Sequence, residues 1–594
     1  MKLEDILNEY ESKDKFSTFE LSSALSNLDA SEAERFETKS EKSAMAFSDN
    51  SGEKYWGTFY GPFTTWQDKK TKQEILAPDK SNITADDISY WTRRSKVTKS
   101  PILKMRYTGL VWDFGKEVTC KEPDFREIKL ENIRACIEIV EKDLADHPVS
   151  GLVYISHAID NAVSLKQKDL TERAIKVMIL YSRKYSKDEF PGIWAQPFQM
   201  MIKYMEHFKE FETDLVSEHQ ERFTRLESKC QETYLYTDEY VFYLNDEAEL
   251  LCDYYQKKGD TAMIEEYLNR TLQKLKLFFN LRGSMWSQGM LQAMQAMYRK
   301  YRLYRNANCL YLDIQKLGKS IFKEMMPNNV TVPLDKKELD KYFDYFMEGT
   351  DQEIIEKYIL NYIPNLKKEK EYQKLQARQS PLLDLVKTVV CDWSGMPINN
   401  IGVGQDAEHQ KFIYGMYTRM LVSSTYIQIH IKRMEDKKTY TYESVMHLLK
   451  ELNFLQEDQI AIVDRGVKAY FAGDFIVACH LLVIQFEAAI RNLAIMTGHE
   501  VLRANKNAEC GNEYISLDGL LEEIQKDGTI SQDLFTYYKT VFTDKLGWNV
   551  RNLVCHGALQ ASAFNGVLAD RIVHAFMTLS LIKLVPPKEA SSEG

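Results

Sequence analysis

The chain has 594 residues, and its 77 lysines and arginines against 87 aspartates and glutamates give a formal net charge of −10. This charge excludes a polybasic nucleic-acid coat protein, and a 44% apolar content excludes a chain that is disordered by default. Glycine (26) and proline (14) are scarce for this length, which favours helices over short strands. We therefore expect a mainly all-α protein, with a length that allows roughly four domains.

The nine cysteines are scattered along the chain, without a CxxC pair or a cluster at metal-ligand spacing. This pattern is typical neither of a disulfide-stapled secreted domain nor of a zinc site. The amino terminus lacks a basic stretch followed by an apolar one, and no uninterrupted run of about 18 apolar residues occurs. We expect a cytoplasmic protein in a reducing compartment, with no metal, no other cofactor and no membrane partner.

Residues 1–124 divide into a polar leader and an aromatic-rich segment. The leader, residues 1–53, is rich in Ser, Glu, Asp and Ala, which predicts a weakly packed region with one or two helices. Aromatic residues then accompany Gly and Pro in Lys54–Trp66, and they continue in Tyr107–Phe114. We interpret these aromatics as core and turn residues of a small mixed docking segment. A base-stacking platform is the alternative, but the spacing fits no repeated stacking unit.

Residues 125–365 show repeated helical periodicity, broken by short polar turns. No signature recurs at a fixed period, so we predict an irregular helical array instead of a tetratricopeptide solenoid. The charged stretch Lys367–Arg378 follows the array and is typical of a segment between folding units. We assign residues 366–455 to a linker and connecting helices.

Within the array, the window Tyr267–Leu310 carries a charge of +8 and contains no acidic residue. Tyr298, Tyr301 and Tyr304 alternate with the later cations, a mixture that favours binding of a phosphate backbone and stacking of bases. The alternative is a pair of solvated helix faces whose acidic partners come from neighbouring helices. The candidates for RNA binding are Arg270, Lys274, Lys276, Arg282, Arg299, Lys300, Arg302 and Arg305.

The carboxy-terminal segment, residues 456–594, has the clearest helical pattern and predicts a compact bundle. An apolar stripe in the predicted helix Phe475–Met496 faces the bundle core. Its members are Phe475, Cys479, Leu482, Phe486, Ile490 and Leu493. The predicted helices from residue 410 onward are Phe412–Lys432, Tyr442–Leu452, Asp458–Phe471, Phe475–Met496, Leu517–Gln525, Gln532–Phe542 and Gly566–Leu584.

Three polar residues converge in an otherwise apolar segment, Trp548–Gly557, between two of these helices. Asn552 and His556 are four residues apart and share a helical face, and the long Arg551 side chain can reach the same point. Asn549 fits a helix cap. The segment therefore offers a candidate site made of an arginine, an amide and an imidazole.

The string RNLVCHG, residues 551–557, resembles the Arg-x4-to-6-His motif of the HEPN superfamily, and in particular the RNxxxHG signature of the HEPN-like DUF4209 family. Leu481–Leu493 is similar to the helix that precedes this motif in the family, with Glu487 and Arg491 as its Glu-x3-Arg pair. The resemblance covers about residues 456–585. It implies a HEPN-like catalytic bundle and a metal-independent endoribonuclease, of a kind that acts in antiviral defence or growth arrest. It also implies a homodimer or a higher even-numbered oligomer, since HEPN domains pair so that two motifs meet.

The motif residues suit cleavage of RNA, which carries its own nucleophile in the 2′-hydroxyl beside each phosphate. His556 would act as general base or acid, and Arg551 would stabilise the phosphorane oxygens. Asn552 would orient His556 or donate to a phosphate oxygen. Glu487 and Arg491 would position Arg551 or close the bundle; an ordinary surface pair at i, i+4 is the alternative.

Residues 451–594 contain 12 basic and 18 acidic side chains, a net charge of −6 that repels RNA at long range. We therefore expect a locally positive cleft, or capture of RNA by the basic window of the array. The alternative function is a noncatalytic HEPN-like scaffold for dimerisation and for RNA or protein binding, in which the array recruits a regulatory protein partner. Phosphoryl transfer from a nucleotide is a weaker third option, since the chain has no Walker loop.

Overall fold

The computed structural model is mainly helical, which confirms the predicted all-α class. The structure describes residues 2–67, 74–119, 125–231, 239–324, 335–380, 388–391, 397–402, 407–504 and 511–582. The chain divides into two compact units, Met1–Glu324 and Met325–Gly594. The division lies inside the segment 125–365 that the sequence analysis treats as one helical array.

The first unit is a succession of helices in which sequence neighbours pack against each other. Two short antiparallel strand pairs lie near its amino terminus: β1 (Ser48–Asp49) with β2 (Tyr60–Gly61), and β3 (Thr64–Gln67) with β4 (Glu74–Ala77). The helices are α1 Leu3–Ser12, α2 Thr18–Ser26, α3 Ala30–Ala33, α4 Phe36–Ala46, α5 Ala85–Val97, α6 Pro101–Thr119, α7 Phe125–Glu141, α8 Pro148–Ser164, α9 Lys168–Tyr185, α10 Pro191–Lys203, α11 Glu212–Lys229, α12 Glu239–Lys258, α13 Thr261–Leu277, α14 Phe279–Arg282, α15 Ser284–Lys300 and α16 Tyr304–Glu324.

The leader packs more deeply than the sequence predicts. Glu41 on α4 is fully buried and accepts hydrogen bonds from Tyr90 Oη at 2.9 Å, Tyr107 Oη at 2.7 Å and Arg94 Nε at 3.1 Å. Leu21 is also fully buried. The prediction of a weakly packed leader is wrong, because its apolar residues are buried at helical spacing and the hydrogen bonds of Glu41 join α4 to α5 and α6. The buried apolar residues are Leu3, Ile6, Leu7, Tyr10, Phe16, Leu21, Leu25, Leu28, Ala44, Met45 and Phe47.

The aromatic residues of the docking segment range from buried to exposed: Tyr60, Tyr107 and Phe114 are buried, Trp56 is half-buried, and Trp66 is exposed. Trp56 contacts Phe114 edge to face, with ring centroids 5.9 Å apart, and Tyr60 donates from its hydroxyl to the carbonyl of Met105. Phe63 is exposed at the surface. The interpretation of this segment as core and turn residues is confirmed for the buried rings.

The second unit is a helical bundle with two further antiparallel strand pairs, β5 (Thr388–Cys391) with β6 (Pro397–Ile401) and β7 (Leu502–Ala504) with β8 (Asn512–Tyr514). Residues Lys539–Thr543 of this unit form a π-helical segment. The helices are α17 Lys336–Phe346, α18 Asp351–Asn361, α19 Leu366–Gln379, α20 Glu408–Asp436, α21 Tyr442–Lys450, α22 Glu457–Phe471, α23 Phe475–Met496, α24 Leu517–Lys526, α25 Gln532–Tyr538, α26 Val550–Cys555 and α27 Gly566–Met577.

The helices assigned from sequence to the array's end and to the linker share the core of this bundle. Ile354 and Tyr358 of α18 are fully buried, as is Met416 of α20, in one cluster with Phe486 of α23. The charged stretch Lys367–Arg378 lies within α19. Burial of α18 and α20 thus explains why the second unit begins well before residue 456.

Helix α23 is the main core helix of the bundle and has the predicted bounds. Among the helices of the described residues, α23 alone is long and apolar enough to cross a membrane, with a mean hydropathy of 1.4. Half of its most apolar 18-residue stretch is buried in the bundle. Five of the six predicted stripe residues are buried, and Phe475 is half-buried. Burial of this stripe accounts for much of the helix's apolar character.

Candidate active site

The candidate site is built around Glu487, which points from α23 toward the motif helix α26. Its Oε2 accepts a hydrogen bond from Arg551 Nε at 2.8 Å, and its Oε1 accepts one from Arg491 Nη2 at 2.9 Å. The three side chains are 16%, 26% and 18% exposed, so their charges interact with limited solvent screening. One carboxylate between two guanidinium groups leaves a net positive charge.

Arg551 is held in place by this carboxylate. The hydrogen bond to Glu487 raises the pKa of the Arg551 guanidinium above its ordinary value. Its Nη1 donates to Asn552 Oδ1 at 3.2 Å. Glu487 and Asn552 thus fix the orientation of the Arg551 guanidinium. Arg491 also lies over the ring of Tyr514, at 4.9 Å, and therefore braces the hairpin of β7 and β8.

The turn before α26 has an unusual backbone that the sequence analysis missed. Asn549 has the left-handed conformation, with φ of 51°, and its side chain does not cap the helix. Instead its Oδ1 accepts a hydrogen bond from Asn552 Nδ2 at 2.7 Å. Gly547 lies so close to the π-helical segment that a Cβ there would be 2.0 Å from the carbonyl oxygen of Thr540. Asn549 thus stands at the predicted cap position of α26, but its side chain orients Asn552 instead of bonding to the helix backbone.

His556 follows the last residue of α26, and its backbone N–H donates to the carbonyl of Asn552 at 3.0 Å, so the predicted helical turn is present. The imidazole is exposed and makes no hydrogen bond to another residue in the part of the chain that the structure describes. The Asn552 side chain makes hydrogen bonds to Arg551, Asn549 and the carbonyl of Thr543, and none to the His556 imidazole. One copy of the chain therefore brings Arg551 and Asn552 together but leaves His556 free.

A depression of about 410 Å³ opens beside Arg551 and Asn552. Lys539 and Lys545 line it together with Asp518 and Asp544, so its charged side chains, with Arg551, include one more cation than anions. Lys539 pairs with Asp518 at 3.1 Å. Lys545 is exposed and has no ion pair with any described residue. The sequence analysis did not identify Lys545, because a single lysine in a turn carries no pattern.

The basic window lies in the first unit, on α13 to α16, and neighbouring helices supply carboxylates to several of its cations. Arg270 pairs with Glu227 at 2.7 Å, and Lys300 pairs with Glu249 at 2.7 Å. Two further candidates also have partners: Lys276 pairs with Asp313, and Arg299 Nη2 donates to Tyr311 Oη. The carboxylate partners of Arg270, Lys276 and Lys300 match the alternative of solvated helix faces, whereas the partner of Arg299 is a tyrosine hydroxyl.

The remaining candidates differ in surroundings. Arg302 and Arg305 are exposed and have no ion pair with a described residue, and Lys274 is half-buried. Arg282 is exposed at the end of α14 and has an interaction partner. Of the interleaved tyrosines, Tyr298 and Tyr301 are buried, and their hydroxyls donate to Asn269 and Asp253. Only Tyr304 of the three has an exposed ring that could stack on a base.

A buried polar network in the second unit was also not predicted. His574 on α27 is fully buried, and its Nδ1 contacts Tyr537 Oη at 2.6 Å while its Nε2 contacts the carbonyl of Ile359 at 3.1 Å. Arg571, one turn earlier and also fully buried, lies over the Trp548 ring at 5.3 Å. The network ties α27 to the turn that precedes the motif.

Among the described residues, no group of three His, Cys, Asp or Glu side chains could hold a metal ion. Among the described cysteines, six are free thiols: Cys136, Cys230, Cys252, Cys309, Cys479 and Cys555. Comparison of the chain with protein-family models, with curated proteins and with solved structures finds no match. The family resemblance of RNLVCHG therefore stays a prediction carried by the motif residues and their geometry.

Proposed function

We propose that the second unit is a metal-independent endoribonuclease of the HEPN type, acting in the cytoplasm, in antiviral defence or growth arrest. The observation that carries the proposal is the Arg551 guanidinium, which lines the depression and is held there by its hydrogen bonds to Glu487 and Asn552. A fixed guanidinium is suited to stabilising charge that develops on a phosphorane.

In the proposed reaction, His556 removes the proton from a ribose 2′-hydroxyl, whose oxygen attacks the adjacent phosphorus. Arg551 donates hydrogen bonds to the phosphorane oxygens, and Asn552, fixed by Asn549, supplies a further polar contact. The bond from phosphorus to the 5′-oxygen breaks, and a protonated histidine returns a proton to that oxygen. The products are a 2′,3′-cyclic phosphate and a 5′-hydroxyl.

A homodimer would complete this site. The exposed face of α23 carries Ile484 and Ile495, which are 51% and 54% exposed, on the same helical face as Glu487 and Arg491. Large exposed apolar side chains that flank a polar cluster are typical of a surface that a partner covers. Pairing of two α23 faces would bring two copies of Arg551 and His556 to one cleft, which accounts for a histidine without a partner in one copy.

The test compares purified wild type with His556→Ala and Arg551→Ala, each incubated with RNA in the presence of EDTA. His447→Ala is the matched control, because this histidine lies on α21 with a side chain that is 80% exposed. We expect wild type and the control to give 2′,3′-cyclic phosphate ends at equal rates, and the two motif variants to give none. Equal traces from all four preparations would indicate contamination and would refute the proposal.

The second candidate function is a noncatalytic scaffold for dimerisation and for binding of RNA or a regulatory protein. It is favoured by the same ion pair, because Arg551 bonded to Glu487 closes α26 against α23 even without substrate. The scaffold predicts that His556→Ala alters nothing, whereas Arg551→Ala weakens folding or dimerisation. Sedimentation of these two variants, run beside the cleavage assay, separates the two functions.

A further inference from the structure

The hairpin of β7 and β8 carries an exposed tyrosine next to the candidate active site. Tyr514 on β8 is 70% exposed and lies directly opposite Leu502 on β7, which is 41% exposed. Directly paired residues of an antiparallel hairpin share a face, so these two side chains form one exposed apolar surface. Arg491 covers one face of the Tyr514 ring, and the exposure of the residue leaves the other face open to solvent.

Arg491 fixes this ring relative to the motif helix α26. Its guanidinium lies over the Tyr514 ring at 4.9 Å, and its Nη1 donates to the carbonyl of Val501, at the start of the hairpin, at 3.4 Å. Its Nη2 donates to Glu487 Oε1 at 2.9 Å, and the other oxygen of that carboxylate holds Arg551. The ring of Tyr514 therefore stands at the end of a continuous chain of contacts that begins at the guanidinium of Arg551.

The charge and the shape of this surface favour a nucleic-acid strand as its ligand. Two guanidinium groups share one carboxylate, so the surface from the ring to Arg551 keeps one positive charge. Proteins bind single strands with this combination, because bases stack on an aromatic face while cations contact the phosphates. Bases inside a duplex are already stacked on their neighbours, so an open aromatic ring takes an unpaired nucleotide.

We propose that Tyr514 is the stacking platform for an unpaired base of the substrate, next to the phosphate that Arg551 contacts, and that the substrate is therefore single-stranded RNA. The inference rests on the proposed ribonuclease function and adds the substrate class. A second copy of the chain is the competing occupant of this surface, since the exposed Ile495 follows Arg491 by one helical turn on α23.

The test measures binding of a fluorescent single-stranded RNA oligomer whose riboses are 2′-O-methylated, which blocks attack by the 2′-hydroxyl. Fluorescence anisotropy gives its Kd for wild type, Tyr514→Leu and Tyr514→Phe. We expect leucine to raise Kd by about tenfold and phenylalanine to keep it within about twofold, because the ring stacks and the hydroxyl does not. The salt dependence of binding should be equal in all three proteins, since no charge is removed. Affinity for the same sequence as a duplex should not change in Tyr514→Leu.

Tyr372→Leu is the matched control. Tyr372 on α19 is 53% exposed, Arg419 lies over its ring at 5.9 Å, and Arg419 pairs with Glu369. This tyrosine thus has the same arginine and carboxylate support as Tyr514. In the described part of the chain, however, its carboxylate makes no bond to Arg551. The control should bind the single strand with the Kd of wild type.

Equal Kd values of wild type and Tyr514→Leu for the single strand would overturn the proposal, as would an equal loss of affinity for single strand and duplex. Sedimentation of both proteins tests the competing occupant: a Tyr514→Leu variant that dissociates where wild type is a dimer would assign the ring to the contact between copies and also overturn the proposal. Failure of the proposed ribonuclease function gives a different result. Wild type would then bind the methylated strand through Tyr514 and leave unmodified RNA uncut, which would refute cleavage and support the stacking platform.

Discussion

Arg551 on α26 and Glu487 on α23 are 64 residues apart in sequence and form a hydrogen-bonded ion pair of 2.8 Å. Arg491 shares the same carboxylate, so the three side chains together keep one positive charge in a unit that is acidic as a whole. The pair fixes the arginine that the proposed reaction needs, and it closes the motif helix onto the bundle.

Glu487→Gln is expected to lower both stability and the rate of RNA cleavage. Without the carboxylate, Arg551 and Arg491 repel each other, and the free energy of unfolding should fall by about 1–3 kcal/mol. Arg551 would then lose its fixed orientation, and kcat should fall by roughly tenfold or more while KM changes less. Urea denaturation and steady-state kinetics measure the two effects.

Glu451→Gln is the control for this variant, because that glutamate is exposed just after α21 and, among the described residues, pairs with His447 alone. Its stability and kcat should match those of wild type. A Glu487→Gln variant with a normal kcat and reduced stability would mean that the pair is structural, which would favour the scaffold function.

Asn549→Gly separates the conformation of the turn before α26 from the hydrogen bond that Asn549 makes. Glycine adopts the observed φ of 51° without strain, so the fold should be kept. The acceptor for Asn552 Nδ2 is lost, however, and we expect a lower kcat at unchanged Tm. Asn549→Val should instead lower Tm, since a β-branched residue is strained at positive φ. Thermal melts and cleavage rates of both variants provide the measurement; equal kcat in wild type and Asn549→Gly would show that Asn552 needs no such support.

If the basic window captures RNA, its unpaired cations should contribute more to RNA affinity than its ion-paired cations. Arg302→Ala with Arg305→Ala removes exposed cations without ion pairs to described residues, and should weaken RNA binding and reduce the dependence of log K on log salt by roughly one to two. Arg270→Ala with Lys300→Ala removes cations already paired with Glu227 and Glu249, and should change binding less. Fluorescence anisotropy over a salt series distinguishes them. Identical affinities and slopes in wild type and both double variants would exclude this window as the RNA-binding surface.

The sequence predicts the helices of the bundle well, because their apolar stripes repeat at helical spacing. Phe475–Met496 has its predicted bounds, and Gln532–Phe542 continues through a π-helical segment that the periodicity does not distinguish. Gly566–Leu584 ends earlier than predicted, at Met577, where a 3-10 turn follows. These ends depend on local hydrogen bonds that apolar spacing does not encode.

The candidate site is only partly predictable for a related reason. The spacing of Arg551, Asn552 and His556 places them on one helical turn, and the Glu487 spacing to Arg491 gives a pair on α23. The contact between Arg551 and Glu487 joins two distant helices, so it follows from the packing of the bundle and from the turn at Gly547. The burial of Tyr298 and Tyr301 was missed because charged neighbours in sequence conceal their core-facing positions.

The buried His574 gives a testable dependence of stability on pH. It is neutral in the bundle, since Tyr537 donates to Nδ1 and Nε2 donates to the Ile359 carbonyl, and burial lowers its pKa from 6.5 to about 3. The unfolded state therefore binds a proton that the folded state does not, and this contribution to stability is present above about pH 6.5 and is lost as the pH falls toward 3. Between these two pH values, this histidine should lower the free energy of unfolding by about 1.4 kcal/mol for each pH unit of acidification.

Two neighbours in the same network modify the slope. Burial lowers the pKa of His430 to about 4, so His430 also lowers the free energy of unfolding as the pH falls. Burial raises the pKa of Asp570 to about 6, so below that pH Asp570 raises the free energy of unfolding as the pH falls. In His574→Gln the opposite contributions of His430 and Asp570 to the free energy of unfolding largely cancel between pH 6 and 4. The variant should therefore be less stable than wild type at pH 7.5, and the difference should narrow on acidification. Urea denaturation from pH 7.5 to 4.5 measures this, with the exposed His447→Gln expected to run parallel to wild type. A difference between wild type and His574→Gln that stays constant with pH would show that His574 is not held neutral.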